Sequence, residues 1–146
     1  MAHDFSRHRL SLLAYARLMR AANGLRIAAS RQLDDTGLTL SQFAVLEALY
    51  HLGPMSLSEV AKKILTTGGN LTMVAGNLEK QGLVNRECSK EDARVYILSL
   101  TLRGKKLIGE IFPEHAAAIT AAFTALTPKE QKKLSELCRK LGEASE

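Results

Sequence analysis

Three capping boxes divide this chain into helices before any other feature of the sequence is considered. Each pairs a Ser or Thr with a Glu or Gln three residues later, and their first residues are Thr39, Ser56 and Thr127. In such a box the two side chains satisfy backbone N–H groups that the first turn of a helix leaves without partners. We therefore predict helices that begin directly after these three positions, the last with a proline at its first position.

Helical periodicity predicts two more segments. Apolar and small residues recur at helical spacing from Leu10 to Leu33. Asn23-Gly24 interrupts this segment, but no alternating strands flank it, so the pattern favours one long helix with a bend over a hairpin. A second segment, about Gly69–Gln81, has Thr67 as a predicted N-cap and Gly82 as its stop.

After this helix the apolar period changes from helical to two. The segments Leu83–Glu87 and Val95–Leu100 are typical of short strands, and the polar, charged link Cys88–Arg94 forms the tip of a hairpin. Thr101 is the predicted N-cap of a long helix that reaches about Ala125. The predicted fold is mainly α with a small two-stranded β-wing, within one domain of 146 residues.

Composition and spacing exclude several classes of protein. No apolar run approaches the roughly 20 residues of a membrane span, and we see no signal peptide, so we expect a cytoplasmic protein. Neither Cys88 nor Cys138 lies in a disulfide or metal-binding pattern, and we expect no metal and no cofactor. Cys88, close to Arg86 and Lys90, is the better candidate for a reactive thiol, although a structural role is the simpler interpretation. No phosphate-binding loop or catalytic motif supports an enzyme.

Charge and local architecture together point to DNA. The net charge is +5, and residues 62–106 contain nine basic and four acidic residues. A short capped helix, a Gly-containing turn and a second helix form a helix-turn-helix, whose second helix enters the DNA major groove. The basic hairpin that follows is positioned as a wing. The alternative is a helical module that uses the winged motif to bind a protein partner.

The same residues resemble the MarR family of winged helix-turn-helix transcriptional regulators. The resemblance covers almost the whole chain, including the long flanking helices, and rests chiefly on three stretches. These stretches are Thr39-Leu40-x-Gln42-Phe43-x-Val45-Leu46, Leu71 to Val84 with its Asn77-Leu78-Glu79-Lys80-Gln81-Gly82 core, and Asp92-x-Arg94 followed by Leu98-x-Leu100-Thr101-x-x-Gly104.

The resemblance implies an assembly and a mode of control. Residues 1–36 and 102–146 would supply the helices that join a homodimer, and residues 37–101 would form the DNA-binding lobe. Such regulators usually repress from a pseudo-palindromic operator and often respond to a small phenolic or aromatic effector. Other members respond to thiol oxidation through a cysteine in the first helix, which this chain lacks. Candidate effector contacts are Tyr15, Met19, Phe43, Leu46 and Tyr50, for which a packed core is the alternative.

The predicted recognition helix departs from the family pattern. Many relatives carry basic side chains along it, one of them at the position of Met73, whereas residues 68–79 contain no Lys or Arg. Base contacts would then fall to Asn70, Thr72, Met73 and Asn77, since Asn pairs with adenine and apolar groups meet the thymine methyl. Thr67 and Gly69 would approach the DNA at the start of the helix. The predicted phosphate contacts are Lys62, Lys63, Arg86, Lys90 and Arg94, and the resemblance implies that Asp92 orients the hairpin.

Overall fold

The computed structural model describes residues 6–64 and 71–144, and the chain divides into two compact units. Residues 30–115 form the central unit, and residues 1–29 and 116–146 form the terminal unit. The helices are α1 (Arg9–Gln32), α2 (Leu40–Leu52), α3 (Leu57–Lys63), α4 (Leu71–Lys80), α5 (Leu102–Ala122) and α6 (Pro128–Glu143); the strands are β1 (Met55–Ser56), β2 (Val84–Cys88) and β3 (Tyr96–Leu100). Short 3-10 helices, Ser6–His8 and Asp34–Thr36, flank α1.

All three capping boxes form as predicted. At the start of α2 the Gln42 backbone N–H donates to the Thr39 hydroxyl over 3.2 Å, and the Thr39 N–H donates to Gln42 Oε1 over 2.9 Å. Ser56 opens α3 and Thr127 opens α6 through the same reciprocal pair of bonds. The prediction for α1 is also confirmed, because it runs without interruption through Gly24.

The end of α5 comes earlier than predicted, at Ala122 instead of about Ala125. The Gln131 side-chain amide in α6 donates to the carbonyl oxygens of Phe123 and Leu126, over 3.2 and 3.0 Å. If α5 continued, backbone N–H groups further along the helix would pair with these carbonyls. The Gln131 amide takes their place, and a turn follows Ala122. The Gln131–Phe123 bond joins residues that are eight apart in sequence. It therefore lies outside the local pattern on which the prediction depended.

The sheet has three strands where the sequence predicted two. Its order is β1-β3-β2 with both pairings antiparallel, and Met55 lies opposite Leu98 while Ser56 lies opposite Ile97. The hairpin itself forms as expected, with Val84 opposite Leu100. A two-residue strand is too short to display the alternation by which a strand is recognised, and its pairing partner is about 40 residues away in the chain.

The core of the central unit forms around α2. Six of its thirteen residues are buried, which agrees with a helix surrounded by other elements rather than one with a single apolar stripe. The largest fully buried side chains come from every main element of this unit. They are Leu33, Phe43, Val45, Leu46, Val60, Leu78, Val84, Leu98 and Ile108.

The junction between α4, the hairpin and α5 is tightly packed. Gly82 adopts φ +69°, and the Leu83 N–H returns to the Leu78 carbonyl over 2.9 Å, which closes α4 with a glycine cap. The Thr101 hydroxyl donates to the Gly82 carbonyl over 2.7 Å and accepts from the Gly104 N–H over 2.9 Å, as expected of an N-cap. A Cβ at Gly104 would overlap the Leu83 carbonyl oxygen. The backbone of α5 therefore lies directly against Leu83, the residue between Gly82 and β2.

The terminal unit leaves much apolar surface uncovered. A groove of about 400 Å³ between α1 and α6 is lined mainly by apolar side chains, among them Leu18, Leu134 and Leu137. Helix α6 has no buried residue in the single chain. Among residues 6–64 and 71–144, no helix has both the length and the hydropathy required to cross a bilayer.

Candidate nucleic-acid interface

The helix-turn-helix consists of α3 and α4. Val60 of α3 and Leu78 of α4 are fully buried, so each helix is anchored on one side in the core of the central unit. Hydrogen bonds from the Ser56 backbone and then its hydroxyl lower the pKa of Glu59, with a smaller contribution from the nearby lysines, and keep the cap of α3 ionised. The predicted contacts Thr67, Gly69 and Asn70 fall within residues 65–70, outside the described residues.

The remaining predicted base contacts share one exposed face of α4. Thr72, Met73 and Asn77 are exposed, whereas Ala75 and Leu78 are buried on the opposite side. Residues three and four apart lie on the same helix face, so this arrangement fixes which side of α4 points outward. The exposed face therefore carries short polar and apolar side chains, the kinds of group that can contact base edges in the major groove.

Gly76 lies in the middle of that face. Gly76 is half-buried, and a Cβ built there meets none of the described residues within 4 Å, so the surface one turn after Met73 carries no side chain of its own. The first basic side chain of α4 is Lys80, in its last turn. Base recognition by α4 would therefore depend on short polar and apolar side chains rather than on Arg or Lys.

The wing tip is organised by Asp92 and Arg94. The Arg94 backbone N–H and its Nε both donate to Asp92 Oδ1, over 3.0 and 3.2 Å. The backbone bond, followed by the side-chain bond, holds the pKa of Asp92 below its ordinary value, so the carboxylate stays charged. The Arg94 side chain is nevertheless 90% exposed. Asp92 thus holds Arg94 in one orientation, and the guanidinium N–H groups that do not bond to Asp92 are available to an anion.

A second arginine is held on the same hairpin. The Arg86 guanidinium lies 4.1 Å from the centroid of the Tyr96 ring, a cation–π contact. The register explains the pair, because Arg86 lies opposite Leu98 and Tyr96 is its diagonal neighbour across the two strands. Tyr96 was not among the site residues predicted from the sequence. The alternation of β3 was the available signal, but the contact also required the strand register.

The two arginines line one groove between the wing and the helix-turn-helix. It has a volume of about 500 Å³ and combines guanidinium, hydroxyl and apolar groups. Its lining residues are Ser56, Leu57, Ser58, Ala61, Leu71, Arg86, Arg94, Val95 and Tyr96. The structure therefore brings Arg86 and Arg94, but not Lys90, into one groove with the first described residues of α3 and α4.

The other predicted phosphate contacts are also accessible. Lys62 and Lys63 are exposed in the last turn of α3, where a positive charge interacts favourably with the helix dipole. Lys90 is exposed at the hairpin tip, and Arg86 is half-buried.

The predicted effector contacts lie in different environments. Tyr15 and Met19 are exposed on α1 in the terminal unit. Phe43 and Leu46 are buried in the core of the central unit, whereas Tyr50 is exposed beside His51, with ring centroids 5.2 Å apart. For Phe43 and Leu46 the observed environment is the packed core that the sequence left open as the alternative.

A buried histidine was not singled out by the sequence. The His115 ring lies 4.2 Å from the Phe43 ring, centroid to centroid, and among the described residues its Nδ1 has no hydrogen-bond partner. Desolvation lowers the pKa of His115, and the charge of Glu47 opposes that shift only partly. The imidazole therefore favours its neutral form within the central unit.

Both cysteines are exposed and unpaired, Cys88 at the end of β2 and Cys138 on α6. Within the described part of the chain, no group of three or more His, Cys, Asp or Glu side chains is arranged to hold a metal ion.

Comparison with known proteins identifies the family. The MarR family profile matches residues 38–96, from the approach to α2 through the wing. The HTH-type transcriptional regulator MhqR of Bacillus subtilis is 34% identical over 132 residues, which cover 90% of this chain and 91% of MhqR. The chain belongs to the MarR family. It is therefore a DNA-binding transcriptional regulator, and the family is not one of enzymes.

Solved structures of MarR-type proteins have the same fold. Sco3205, a MarR family regulator from Streptomyces coelicolor solved in complex with DNA, superposes with a TM-score of 0.82 at 31% identity, covering 91% of this chain and 86% of Sco3205. BpsR of Bordetella bronchiseptica, whose DNA binding is regulated by 6-hydroxynicotinic acid, gives 0.78 at 28% identity, covering 87% and 91%. These similarities support the winged helix-turn-helix assignment of the central unit.

Proposed function

We propose that this MarR-family regulator binds a pseudo-palindromic operator as a homodimer, acts as a repressor in the cytoplasm, and responds to a small aromatic or phenolic effector. Support for operator binding comes chiefly from the exposed face of α4, formed by Thr72, Met73, Gly76 and Asn77, with the arginine-bearing wing after it. In this division α4 contacts base edges, and the cations of α3 and the wing contact phosphates.

The wing supports phosphate binding through its geometry and its charge. Arg94 keeps one edge on Asp92 and exposes most of its side chain, while Arg86 is stacked on Tyr96. A guanidinium held in this way loses less conformational entropy on binding than a freely rotating one. Arg94 also suits a narrow A·T minor groove, where the negative potential is enhanced.

The homodimer proposal depends on the apolar surface of the terminal unit. Leu10, Leu13, Tyr15, Leu137 and Leu141 all have large exposed fractions in the single chain. Exposed apolar surface of this kind is typical of a protein–protein interface. A two-fold dimer would cover it and would present two copies of α4 to two half-sites.

Light scattering of a matched pair of variants tests the dimer. Leu137 is 52% exposed and lines the α1–α6 groove of the terminal unit, whereas Leu102, 87% exposed at the start of α5, belongs to the central unit and is not among the residues proposed for the interface. We expect Leu137→Glu to yield monomer and Leu102→Glu to remain dimeric at micromolar concentration, because only the first would bury a charge. A wild-type monomer at that concentration would contradict the homodimer.

The effector proposal draws on the relative BpsR, whose DNA binding is regulated by 6-hydroxynicotinic acid. An effector changes DNA affinity only if it binds the DNA-competent and incompetent conformations unequally. We expect salicylate or hydroxynicotinate to raise the melting temperature and to weaken operator binding. If a panel of such acids changes neither the melting temperature nor operator affinity, the effector proposal is wrong. The proposal of operator binding would not be affected by that result.

Selection of bound sequences from a random duplex pool tests the central function. We expect an inverted repeat, with half-sites spaced about one helical turn apart. Fluorescence anisotropy over a range of salt concentrations then measures affinity for the selected and scrambled duplexes. A steep dependence on salt indicates phosphate neutralisation. Absence of an enriched sequence, together with binding that is insensitive to salt, would instead favour the protein-interaction module.

A further inference from the structure

Met73 is the most prominent apolar side chain on the exposed face of α4. It is 60% exposed, and the buried residues Ala75 and Leu78 hold the opposite side of the helix in the core. A single exposed apolar residue is ordinary on most protein surfaces. Met73 differs in its position, because it lies between Thr72 and Asn77 on the face proposed to enter the major groove.

The surface beside Met73 is unusually open. Gly76 follows one turn later, and a Cβ there would meet nothing within 4 Å. Among the described residues, no side chain therefore occupies the Cβ position of Gly76, and a base pair can approach the helix backbone there. No Lys or Arg occurs in α4 before Lys80, so this region lacks the donors that most often bind guanine.

We propose that Met73 recognises the C5-methyl group of a thymine in each operator half-site, with Gly76 leaving room for the base pair. The inference rests on the proposed operator binding and specifies its chemistry. The thymine methyl is the one apolar group that a base pair presents in the major groove. The unbranched, polarizable methionine side chain adapts to such a group without a fixed hydrogen-bond geometry.

The expected effect follows from the area that one methyl removes from water. Burying a group of this size contributes on the order of 0.8 kcal/mol, which is about fourfold in affinity. Removing the methyl from both half-sites should weaken binding by about sixteenfold, because the two sites are well separated and their effects multiply.

Deoxyuridine substitution tests the contact, because uracil differs from thymine only in lacking the methyl group. In the operator obtained by selection, each thymine is replaced singly and then in symmetric pairs. We expect one position per half-site at which wild-type protein loses about fourfold in affinity. Met73→Gln should bind the thymine and uracil operators equally at that position, and Met73→Leu should retain part of the difference.

Asn77→Ala provides the matched control on the same exposed face. It should weaken binding overall and preserve the thymine-to-uracil ratio at the Met73 position. Melting curves establish that each variant is folded, as expected for changes at exposed positions. Wild-type indifference to uracil at every thymine would overturn the inference, as would an unchanged ratio in Met73→Gln. If no operator is selected, the proposed function itself has failed, which is a distinguishable result.

Discussion

Replacing Arg94 with alanine provides a quantitative test of the wing. The side chain is 90% exposed, and its ion pair with Asp92 lies at the surface. Solvent screens such exposed pairs and they contribute little to folding, so Arg94→Ala should leave the melting temperature nearly unchanged. Any substantial loss of DNA affinity would then arise from the contact with DNA and not from loss of the folded protein.

The size of the effect follows from counterion release. Each phosphate contact contributes about 0.9 to the magnitude of the slope of log K against log salt. A dimer of Arg94→Ala loses one such contact in each of its two wings, so the magnitude of the slope should fall by about 1.8. Between about 50 and 200 mM salt, each lost contact changes the ratio of variant to wild-type affinity by roughly 3.5-fold. The variant should therefore lose most affinity at low salt, on operator and scrambled duplexes alike.

Arg139 supplies the matched control. It is an exposed arginine on α6, paired with Glu143 over 2.7 Å, and it lies in the terminal unit away from the wing sequence. Fluorescence anisotropy at several salt concentrations should show the reduced slope for Arg94→Ala and the wild-type slope for Arg139→Ala. Equal slopes for wild type and Arg94→Ala would refute the assignment of this arginine to a phosphate contact. Equal losses in both variants would indicate an effect of net charge alone.

Three further predictions concern stability. Gly104→Ala should lower the free energy of unfolding by about 1–3 kcal/mol in urea denaturation, because its Cβ overlaps the Leu83 backbone, whereas Gly24→Ala, with open space around its Cβ, should stabilise α1. The capping bonds of Glu59 lower its pKa below the ordinary 4.5, so their contribution is complete above that pH and is lost as the pH falls through the lowered value. Melting temperatures of wild type and Glu59→Gln should accordingly differ above about pH 5 and converge only as the pH falls below 4.5 and through the lowered pKa of Glu59. The pKa of His115 is below its ordinary 6.5, so wild type should lose stability as the pH falls from 6.5 through the lowered value. His115→Leu should remove that loss. Melting temperatures of wild type and variant that change in parallel between about pH 7 and 5 would contradict this.

Local sequence determined where most of the elements lie. The capping boxes at Thr39, Ser56 and Thr127 begin helices as predicted, because donor and acceptor are only three residues apart and need no distant partner. Gly82 ends α4 for a similar reason, since its left-handed conformation disfavours residues that have a Cβ. The exposed arrangement of Thr72 and Met73 also followed from periodicity alone.

The wing shows where this reasoning reaches its limit. The sequence predicted the hairpin, and the family resemblance implied that Asp92 orients it, but neither predicted β1 or the Arg86–Tyr96 contact. Strand β1 pairs with a strand about 40 residues away, and the Arg86–Tyr96 contact depends on the register between the two strands of the hairpin. A period-2 pattern identifies the two faces of a strand but does not identify the neighbour that each residue meets.

Tertiary structure alone decided the features that involve close packing. Periodicity did not distinguish the buried core position of Phe43 from the predicted ligand contact, because both require an apolar side chain. Gly104 matters because a carbonyl lies where its Cβ would be, and His115 because burial deprives its imidazole of water. Sequence thus determined the elements, whose hydrogen bonds close within a few residues. Steric fit and desolvation depend on atoms brought together from distant segments, so they arise only when the chain has folded.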